Sequence, residues 1–149
     1  MTRASEPMTR RVLVAAPELS IDAAWSIMER ERFRHLPVVR NGLLLGMLSD
    51  RDILLRSELR EDQVVTRGIV GEAMTPAPYV CGPDTDVVHL VRTMTEKKID
   101  AVPVVNHADQ LVGLVTSTDL MLLLITLDEA RHPIPFEFEL EIATAEVSA

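Results

Sequence analysis

The chain has 149 residues, of which 47% are hydrophobic and only 3% aromatic, and its formal net charge is -8. A chain of this length fits one domain, or two half-size units that depend on each other for a core. The negative charge argues against nucleic acid and anionic membrane surfaces as partners, because both attract clustered lysine and arginine. The single cysteine, Cys81, excludes an intrachain disulfide and a CxxC metal site.

The sequence predicts neither a signal peptide nor a membrane span. Met1–Pro7 is polar and lacks the apolar core that signal peptides carry. The longest nearly continuous apolar run is Leu120–Leu127. It is far shorter than the roughly 20 residues that a membrane helix needs. We therefore expect an acidic, soluble, cytoplasmic protein with no membrane partner.

An internal duplication organises the sequence. A shift of 66 positions aligns Met8-Thr9 with Met74-Thr75, and the Pro-Val-Val run at Pro37 with the same run at Pro103. One extra residue in the second copy then makes the shift 67, which aligns Gly46 with Gly113 and Asp52 with Asp119. Because the order is kept throughout, we interpret the chain as two copies of one structural unit.

Each copy predicts the order strand, helix, strand, strand, helix. In the first copy these are Val12–Val14, a helix with Ile21, Ala24, Trp25 and Met28 on one face, Leu36–Arg40, Leu43–Leu48, and a helix from Asp50 to about Leu59. In the second they are Tyr79–Cys81, a helix with Val87, Leu90, Val91 and Met94 on one face, Val102–Asn106, Leu111–Val115, and a helix from Ser117 to about Leu127. Apolar residues at i, i+3, i+4 and i+7 indicate amphipathic helices. Ser20 and Asp86 precede them as N-caps, and Asn41-Gly42 predicts a tight hairpin.

The predicted fold class is α/β (α+β), with two β-α-β-β-α units related by a pseudo-two-fold axis and packed through their sheets. We place the first unit at residues 8–59, a linker at 60–71 with a helical turn at Val70–Met74, and the second unit at 72–127. Residues 128–149 form an acidic C-terminal extension. Within it, Phe136–Ile142 alternates apolar and acidic side chains, which is typical of a half-buried strand docked on the body or on a partner chain. A solvated tail is the alternative.

Each copy contains the pattern Gly-x-x-Ser/Thr-x-x-Asp, as Gly46 to Asp52 and Gly113 to Asp119. A hydroxyl and a carboxylate at this spacing before an apolar run can be a capping box, which only starts a helix. The same geometry can also bind a nucleotide. The helix N-terminus and the hydroxyl favour a phosphate, and the carboxylate can accept hydrogen bonds from a ribose diol.

The duplicated pattern resembles a tandem pair of cystathionine β-synthase (CBS) domains, also called a Bateman module. The resemblance rests on the Met-Thr lead-ins, the two Pro-Val-Val strands and the two Gly-x-x-Ser/Thr-x-x-Asp motifs, and it covers residues 8–127. It implies that the aspartate holds a ribose and the hydroxyl a phosphate. These roles then fall on Asp52 with Ser49, and on Asp119 with Thr116.

The resemblance also implies crossed sites, in which the motif of one copy faces the lead-in and pre-proline residues of the other. Around Thr116 and Asp119 these are Thr9, Arg10, Val12, Phe33, Arg34 and His35. Around Ser49 and Asp52 they are Thr75, Pro76, Pro78, Ile99, Asp100 and Ala101. We expect the Thr116/Asp119 site to bind phosphates better, because Arg10, Arg34 and His35 provide cations there. In the other site Asp100 takes the position of Arg34, and Arg51 compensates only in part.

The resulting functional prediction is a non-enzymatic sensor that binds AMP, ADP, ATP or S-adenosylmethionine as a regulatory ligand and requires no cofactor. The resemblance implies a homodimer through the helices around Leu120–Leu127, with Trp25 as a further anchor, and an unknown effector protein in trans. The alternative is a dimerisation or interaction module with vestigial sites. An enzyme is not expected, since no nucleophile with an evident base appears, and the four histidines lack metal-site spacing.

Overall fold

The computed structural model describes residues 1–129. Its elements in chain order are α1 (Ile21–Glu31), β1 (His35–Arg40), β2 (Leu43–Ser49), α2 (Asp50–Leu55), β3 (Ser57–Arg60), β4 (Gln63–Thr66), α3 (Val70–Ala73), β5 (Thr75–Pro76), α4 (Val87–Lys97), β6 (Ala101–Val105), β7 (Leu111–Thr116) and α5 (Ser117–Glu129). Two similar units of strands and helices follow each other, so the predicted α/β class is confirmed.

Each unit is built around an antiparallel hairpin. β1 pairs with β2 and β6 with β7, and the register shifts at equivalent places, Val38/Val39 and Val104/Val105. The first turn places Asn41 and Gly42 at φ +52° and +78°, as a two-residue turn of the predicted kind requires. The two turns also meet, since the amide of Leu111 donates to the carbonyl of Gly42 at 3.0 Å. The duplication in sequence is therefore a duplication in backbone geometry.

Helices α1 and α4 cover the hairpins with the apolar faces that the periodicity predicted. The Ser20 hydroxyl accepts from the amide of Ala23, and the Asp86 carboxylate from the amide of Val88, so both predicted N-caps are present. The buried side chains are Ile21, Ala24 and Met28 on α1, and Val87, Leu90 and Met94 on α4.

Both helices end in the same unusual way. The C-cap of α1 is Arg32 at φ +57°, and that of α4 is Lys98 at φ +54°. Both residues are therefore in the left-handed region, where glycine is the usual occupant. Their amides donate to the carbonyls of Met28 and Met94 and close the last turn.

The lead-in segment of each copy packs into the core of the other unit. Ala4 is fully buried in the second core, and its amide donates to the carbonyl of Thr85 at 2.8 Å. Val70, which leads into the second copy, is fully buried in the first core, and its amide donates to the carbonyl of Leu19 at 2.8 Å. Strand β5 likewise pairs with β2 of the first unit. The two cores are thus completed by exchanged lead-in segments.

The predicted strands Val12–Val14 and Tyr79–Cys81 are wrong. Only single-residue parallel bridges occur there, Ala15 to Val38 and Cys81 to Val104. The amide of Ala15 donates to the carbonyl of Pro37, and the carbonyl of Ala15 accepts from the amide of Val39. Continuing the ladder by two residues would require an N–H on Pro37, which proline lacks, and Pro103 imposes the same limit in the second copy.

The helix predicted from Asp50 to about Leu59 ends earlier, at Leu55. Ser57 then begins β3, and its hydroxyl donates to the carbonyl of Ile53 at 2.9 Å. The predicted linker is largely a β3–β4 hairpin followed by α3, which confirms the helical turn near Val70–Met74. The predicted strand Phe136–Ile142 and the rest of residues 130–149 lie outside the described part of the chain. Among the described helices, none has the length and apolarity to cross a membrane.

Candidate functional site

Two cavities lie where the copies meet, and each contains one Ser/Thr-x-x-Asp motif. Cavity A has a volume of about 480 Å³ and contains Thr116 and Asp119. Cavity B has a volume of about 490 Å³ and contains Ser49 and Asp52. Residues from both copies line both cavities, so the structure brings the predicted crossed sets of side chains together.

Cavity A gathers most of the side chains that the sequence assigned to it. Beside its motif, these are Thr9, Val12, Phe33, Arg34 and His35. Arg10 is the exception, because its guanidinium donates to the carbonyl of Ser5 at 3.3 Å and Arg11 lines the cavity instead. The chain bends at Arg10 and Arg11, and Arg11 is the one of the two that lines the cavity. The sequence also missed Arg32, Leu13, Asp100, Leu114, Ser117, Thr118 and Met121.

Cavity B gathers its predicted set with one exception. Beside its motif, the lining includes Arg51, Thr75, Pro78, Ile99, Asp100 and Ala101. Pro76 is not among the lining residues and pairs with Gly46 in the sheet. The sequence missed Lys97 and Lys98 at the end of α4, together with Met47, Leu54 and Tyr79, and did not predict that Arg34 and His35 also line this cavity. Asp50, the acidic neighbour of Arg51, lines it as well.

The two motifs form capping boxes. The Ser49 hydroxyl accepts from the Asp52 amide at 3.0 Å, and the Asp52 carboxylate accepts from the Ser49 amide at 2.9 Å. The Thr116 hydroxyl accepts from the Asp119 amide at 3.2 Å, and the Asp119 carboxylate accepts from the Thr116 amide at 2.9 Å. These bonds fix the side chains at the start of each helix. Both carboxylates keep further lone pairs for a ligand.

Asp119 in cavity A receives two hydroxyl contacts that are not observed at Asp52 in the described part of the chain. The Thr116 hydroxyl donates to Asp119 Oδ2 at 3.0 Å. The Thr9 hydroxyl donates to Asp119 Oδ1 at 3.0 Å and approaches Oδ2 at 3.2 Å. This bond joins the lead-in of the first copy to the motif of the second. A ribose hydroxyl arriving at Asp119 would therefore meet an acceptor that is already oriented, with the Thr9 oxygen beside it.

The other copy closely approaches the glycine that opens each motif. A Cβ built on Gly113 would lie 2.6 Å from the sulfur of Met8, and one on Gly46 would lie 2.6 Å from that of Met74. At Gly46 the carbonyl oxygen of Thr75 would also be only 2.7 Å away. Since no real Cβ contact is this short, the glycines let each Met-Thr lead-in reach the cavity that it lines.

Comparison with known proteins identifies the fold. The family model of the CBS domain matches residues 6–58 and again 70–126. The chain belongs to the CBS domain family. The CBS domain-containing protein YhcV of Bacillus subtilis is 32% identical over 120 residues, which cover 80% of this chain and 84% of YhcV.

Solved structures of similar CBS pairs contain adenosyl ligands. The CBS domain pair of protein MJ0100, in complex with 5′-methylthioadenosine and S-adenosyl-L-methionine, is 27% identical with a TM-score of 0.73, over 86% of this chain and 99% of that one. The CBSX2 protein of Arabidopsis thaliana in complex with AMP is 26% identical with a TM-score of 0.74, over 85% and 98%.

Other curated relatives are much longer than this CBS pair. They include homoserine O-acetyltransferases and inosine-5′-monophosphate dehydrogenases, and the chain spans less than a quarter of each. In those enzymes the matching region is an accessory part of a larger protein. Their activities belong to the whole enzymes, and the matching region is a regulatory type of module.

Two of the three cations that the sequence assigned to cavity A, His35 and Arg10, do not provide a positive charge there. Burial is the largest influence on His35 and lowers its pKa below the ordinary 6.5, although the carboxylates of Asp100 and Asp50 oppose this. The imidazole is therefore mainly neutral at pH 7 and does not provide the expected cation. Arg10 does not line cavity A either.

The balance of charges is similar in the two cavities of the CBS pair. Cavity A contains Arg11, Arg32 and Arg34 together with Asp100 and Asp119. Cavity B contains Arg34, Arg51, Lys97 and Lys98 together with Asp50, Asp52 and Asp100. The number of cations therefore does not explain why phosphate would prefer cavity A. That preference stays a prediction.

Neither a metal ion nor a reactive thiol is indicated within residues 1–129. No group of three His, Cys, Asp or Glu side chains there could hold a metal ion. Cys81 is buried, and desolvation raises the pKa of its thiol to about 11. A thiol that stays protonated is a poor nucleophile and a poor ligand, so Cys81 is a core residue of the second unit.

Proposed function

We propose that this CBS pair is a non-enzymatic sensor that binds an adenosyl ligand between its two copies. The observation that carries the proposal is the pairing, in each cavity, of a hydroxyl and a carboxylate at a helix start with a wall from the other copy. The adenosyl ligands of MJ0100 and CBSX2 support the choice of ligand class. No resident cofactor is proposed.

The chemistry of cavity A suits a nucleoside monophosphate. The start of α5 presents the positive end of the helix dipole to a phosphate. Asp119 is placed to accept from the ribose hydroxyls. Val12 and Phe33 provide apolar surface for an adenine ring.

Helix length gives a new reason for the predicted preference for cavity A. The helix that begins at its motif, α5, has 13 residues, whereas α2 beside cavity B has six. A longer helix presents a more complete dipole to an anion at its N-terminus. We therefore propose cavity A as the stronger phosphate site, with Thr116 and Asp119 as its principal residues.

Signalling in trans requires a surface for other proteins, and α5 provides one. Met121, Leu122, Leu124, Ile125 and Leu127 are each about half exposed or more. Such an apolar surface is larger than scattered side chains on a monomer explain. We propose that two chains form a homodimer in the cytoplasm through α4 and α5. An effector protein then binds differently when a ligand changes the packing of the two copies. Trp25 packs against the first core, so we leave it out of this interface.

The test is calorimetric titration of AMP, S-adenosylmethionine and 5′-methylthioadenosine, together with thermal unfolding. A ligand at 100 times its Kd should stabilise the protein by about 2.7 kcal/mol. Asp119→Ala should weaken AMP binding at least tenfold and Asp52→Ala less, because cavity A is the proposed phosphate site. Equal losses would contradict the preference. No binding of any adenosyl compound would favour the alternative, a dimerisation module with vestigial cavities, which the exposed face of α5 also fits.

A further inference from the structure

Three side chains form a wall that the two cavities share: Arg34, His35 and Asp100 line both cavities. Arg34 and Asp100 are equivalent positions, since the shift of 66 residues aligns them. An exact duplication would place two like residues here. This chain instead places one cation and one anion on the two sides of the pseudo-two-fold axis.

The backbone of the shared wall is tied to both motifs. The carbonyl of Arg34 accepts from the amide of Asp50, the first residue of α2, at 3.0 Å. The carbonyl of Asp100 accepts from the amide of Ser117, the first residue of α5, at 2.9 Å. Arg34 and Asp100 are therefore each fixed against the helix start of one cavity while they also line the other.

The guanidinium of Arg34 is not committed to one cavity. Its Nε lies 3.6 Å from Asp50 Oδ2, a long ion pair, and its side chain is 76% exposed. Such a pair is weak and exchangeable. An arginine side chain that lines both cavities can thus reach an anion in either one, but a single guanidinium cannot fully neutralise an anion in each.

We propose that Arg34 is a counter-ion shared by the two cavities, so that two phosphate-bearing ligands bind the same chain with negative coupling. The proposal rests on the proposed function of the cavities. A phosphate in one cavity attracts the Arg34 guanidinium. A phosphate in the second cavity is then repelled by the Asp100 carboxylate, because Arg34 no longer fully neutralises that carboxylate. An uncharged adenosyl ligand does not use Arg34 in this way. The charge of the first ligand therefore controls how readily the second cavity fills.

The experiment is calorimetric titration of the full chain with AMP and, separately, with uncharged adenosine. Asp52→Ala and Asp119→Ala each weaken one cavity and leave the other intact, and a two-site fit to each titration gives the Kd of the intact cavity. The product of these two constants is compared with the overall constant for filling both cavities of the wild type. For AMP we expect the overall dissociation constant of the wild type to exceed this product about fivefold or more, which is a typical coupling between sites. For adenosine we expect agreement within twofold.

Arg34→Ala is the decisive variant, measured alone and combined with each single-cavity variant. It should weaken AMP binding and bring the AMP coupling to within twofold of unity. Arg32→Ala is the matched control, because Arg32 lines cavity A only. It should weaken AMP in cavity A and leave the coupling unchanged. If circular dichroism shows that an aspartate variant unfolds, Asp52→Asn or Asp119→Asn replaces it.

Each outcome distinguishes the two proposals. AMP coupling that persists in Arg34→Ala, coupling that is equal for adenosine and AMP, or independent AMP sites in the wild type would each overturn the shared counter-ion while the ligand sites stand. One AMP per chain in both the wild type and Arg34→Ala would overturn it as well. Absence of both AMP and adenosine binding would overturn the proposed function and, with it, this inference.

Discussion

His35 shows how burial changes the role of a single side chain in this protein. It begins β1, lines both cavities and has a pKa below 6.5 because burial disfavours the imidazolium. The unfolded chain therefore binds a proton at His35 at a higher pH than the folded chain does. Where the unfolded state binds more protons, the free energy of unfolding rises with pH. Protonation of His35 must thus destabilise the fold.

We predict that the free energy of unfolding falls as the pH is lowered through 6.5, and that His35→Gln makes this fall shallower. Stability contributed by neutral His35 is complete above the unfolded pKa and is lost below it. Urea denaturation of both proteins between pH 5 and 8 measures the difference. His89→Gln, at an exposed position on α4, is the control and should keep the wild-type slope. An unchanged slope in His35→Gln would contradict the prediction.

Individual site residues were predictable where a motif fixes the chemistry. Asp119 and Thr116 follow from the duplicated pattern, and the structure places them in a cavity. The exchange of Arg10 for Arg11 was not predictable, because two adjacent arginines give no signal of which one faces inwards. The lowering of the His35 pKa could not be predicted from the sequence either, since burial in the folded structure is its main cause.

At the scale of elements, the two left-handed C-caps stand out. Arg32 and Lys98 occupy positions that favour glycine, and both line ligand cavities. A left-handed conformation costs a non-glycine residue about 1–2 kcal/mol. Glycine at the same position costs roughly 0.5–1 kcal/mol, because it loses more conformational freedom on folding. The backbone strain is the greater of these two costs, so stability alone would select glycine.

We predict that Arg32→Gly stabilises the protein by up to about 1.5 kcal/mol, the largest difference between the two costs, while it weakens AMP binding in cavity A several-fold. The glycine relieves the strain and removes a cation. Arg32→Ala is the control, since it removes the cation but keeps the strain and should weaken AMP without stabilising the fold. Urea denaturation and calorimetry measure the two effects. A more stable Arg32→Gly with unchanged AMP affinity would show that Arg32 is not part of the ligand site.

Secondary structure was predictable from sequence where a period was long enough. Helices α1 and α4 follow from apolar side chains repeated over 11 residues and from their caps. The three-residue strands were wrong because periodicity cannot tell a bridge from a strand over so short a run. Pro37 decided the matter through its missing N–H, a constraint that acts only once two segments are side by side. The β3–β4 hairpin was missed because its charged residues are typical of a linker.

At the scale of the whole molecule, the proposed dimer depends on the exposed apolar face of α5. Leu124 is 67% exposed and Ile125 53% exposed on a helix that is apolar on nearly every side. We predict a dimer at micromolar concentration by analytical ultracentrifugation, and a monomer for Leu124→Glu, because a charge there must be desolvated on association. Leu59→Glu is the control at an equally exposed apolar residue on the β3–β4 hairpin and should stay dimeric. A monomeric wild type would contradict the proposal.

The exchanged lead-ins have a consequence for how such a protein can arise. Ala4 completes the core of the second unit and Val70 that of the first, so one copy made alone would lack the segment that closes its own core. Two single-copy chains could complete each other only by trading these segments, as in a domain-swapped dimer. Fusion of two such chains would turn an intermolecular exchange into an intramolecular one. The duplicated chain is then best understood as a covalently joined swapped dimer, whose two halves became free to diverge at Arg34 and Asp100.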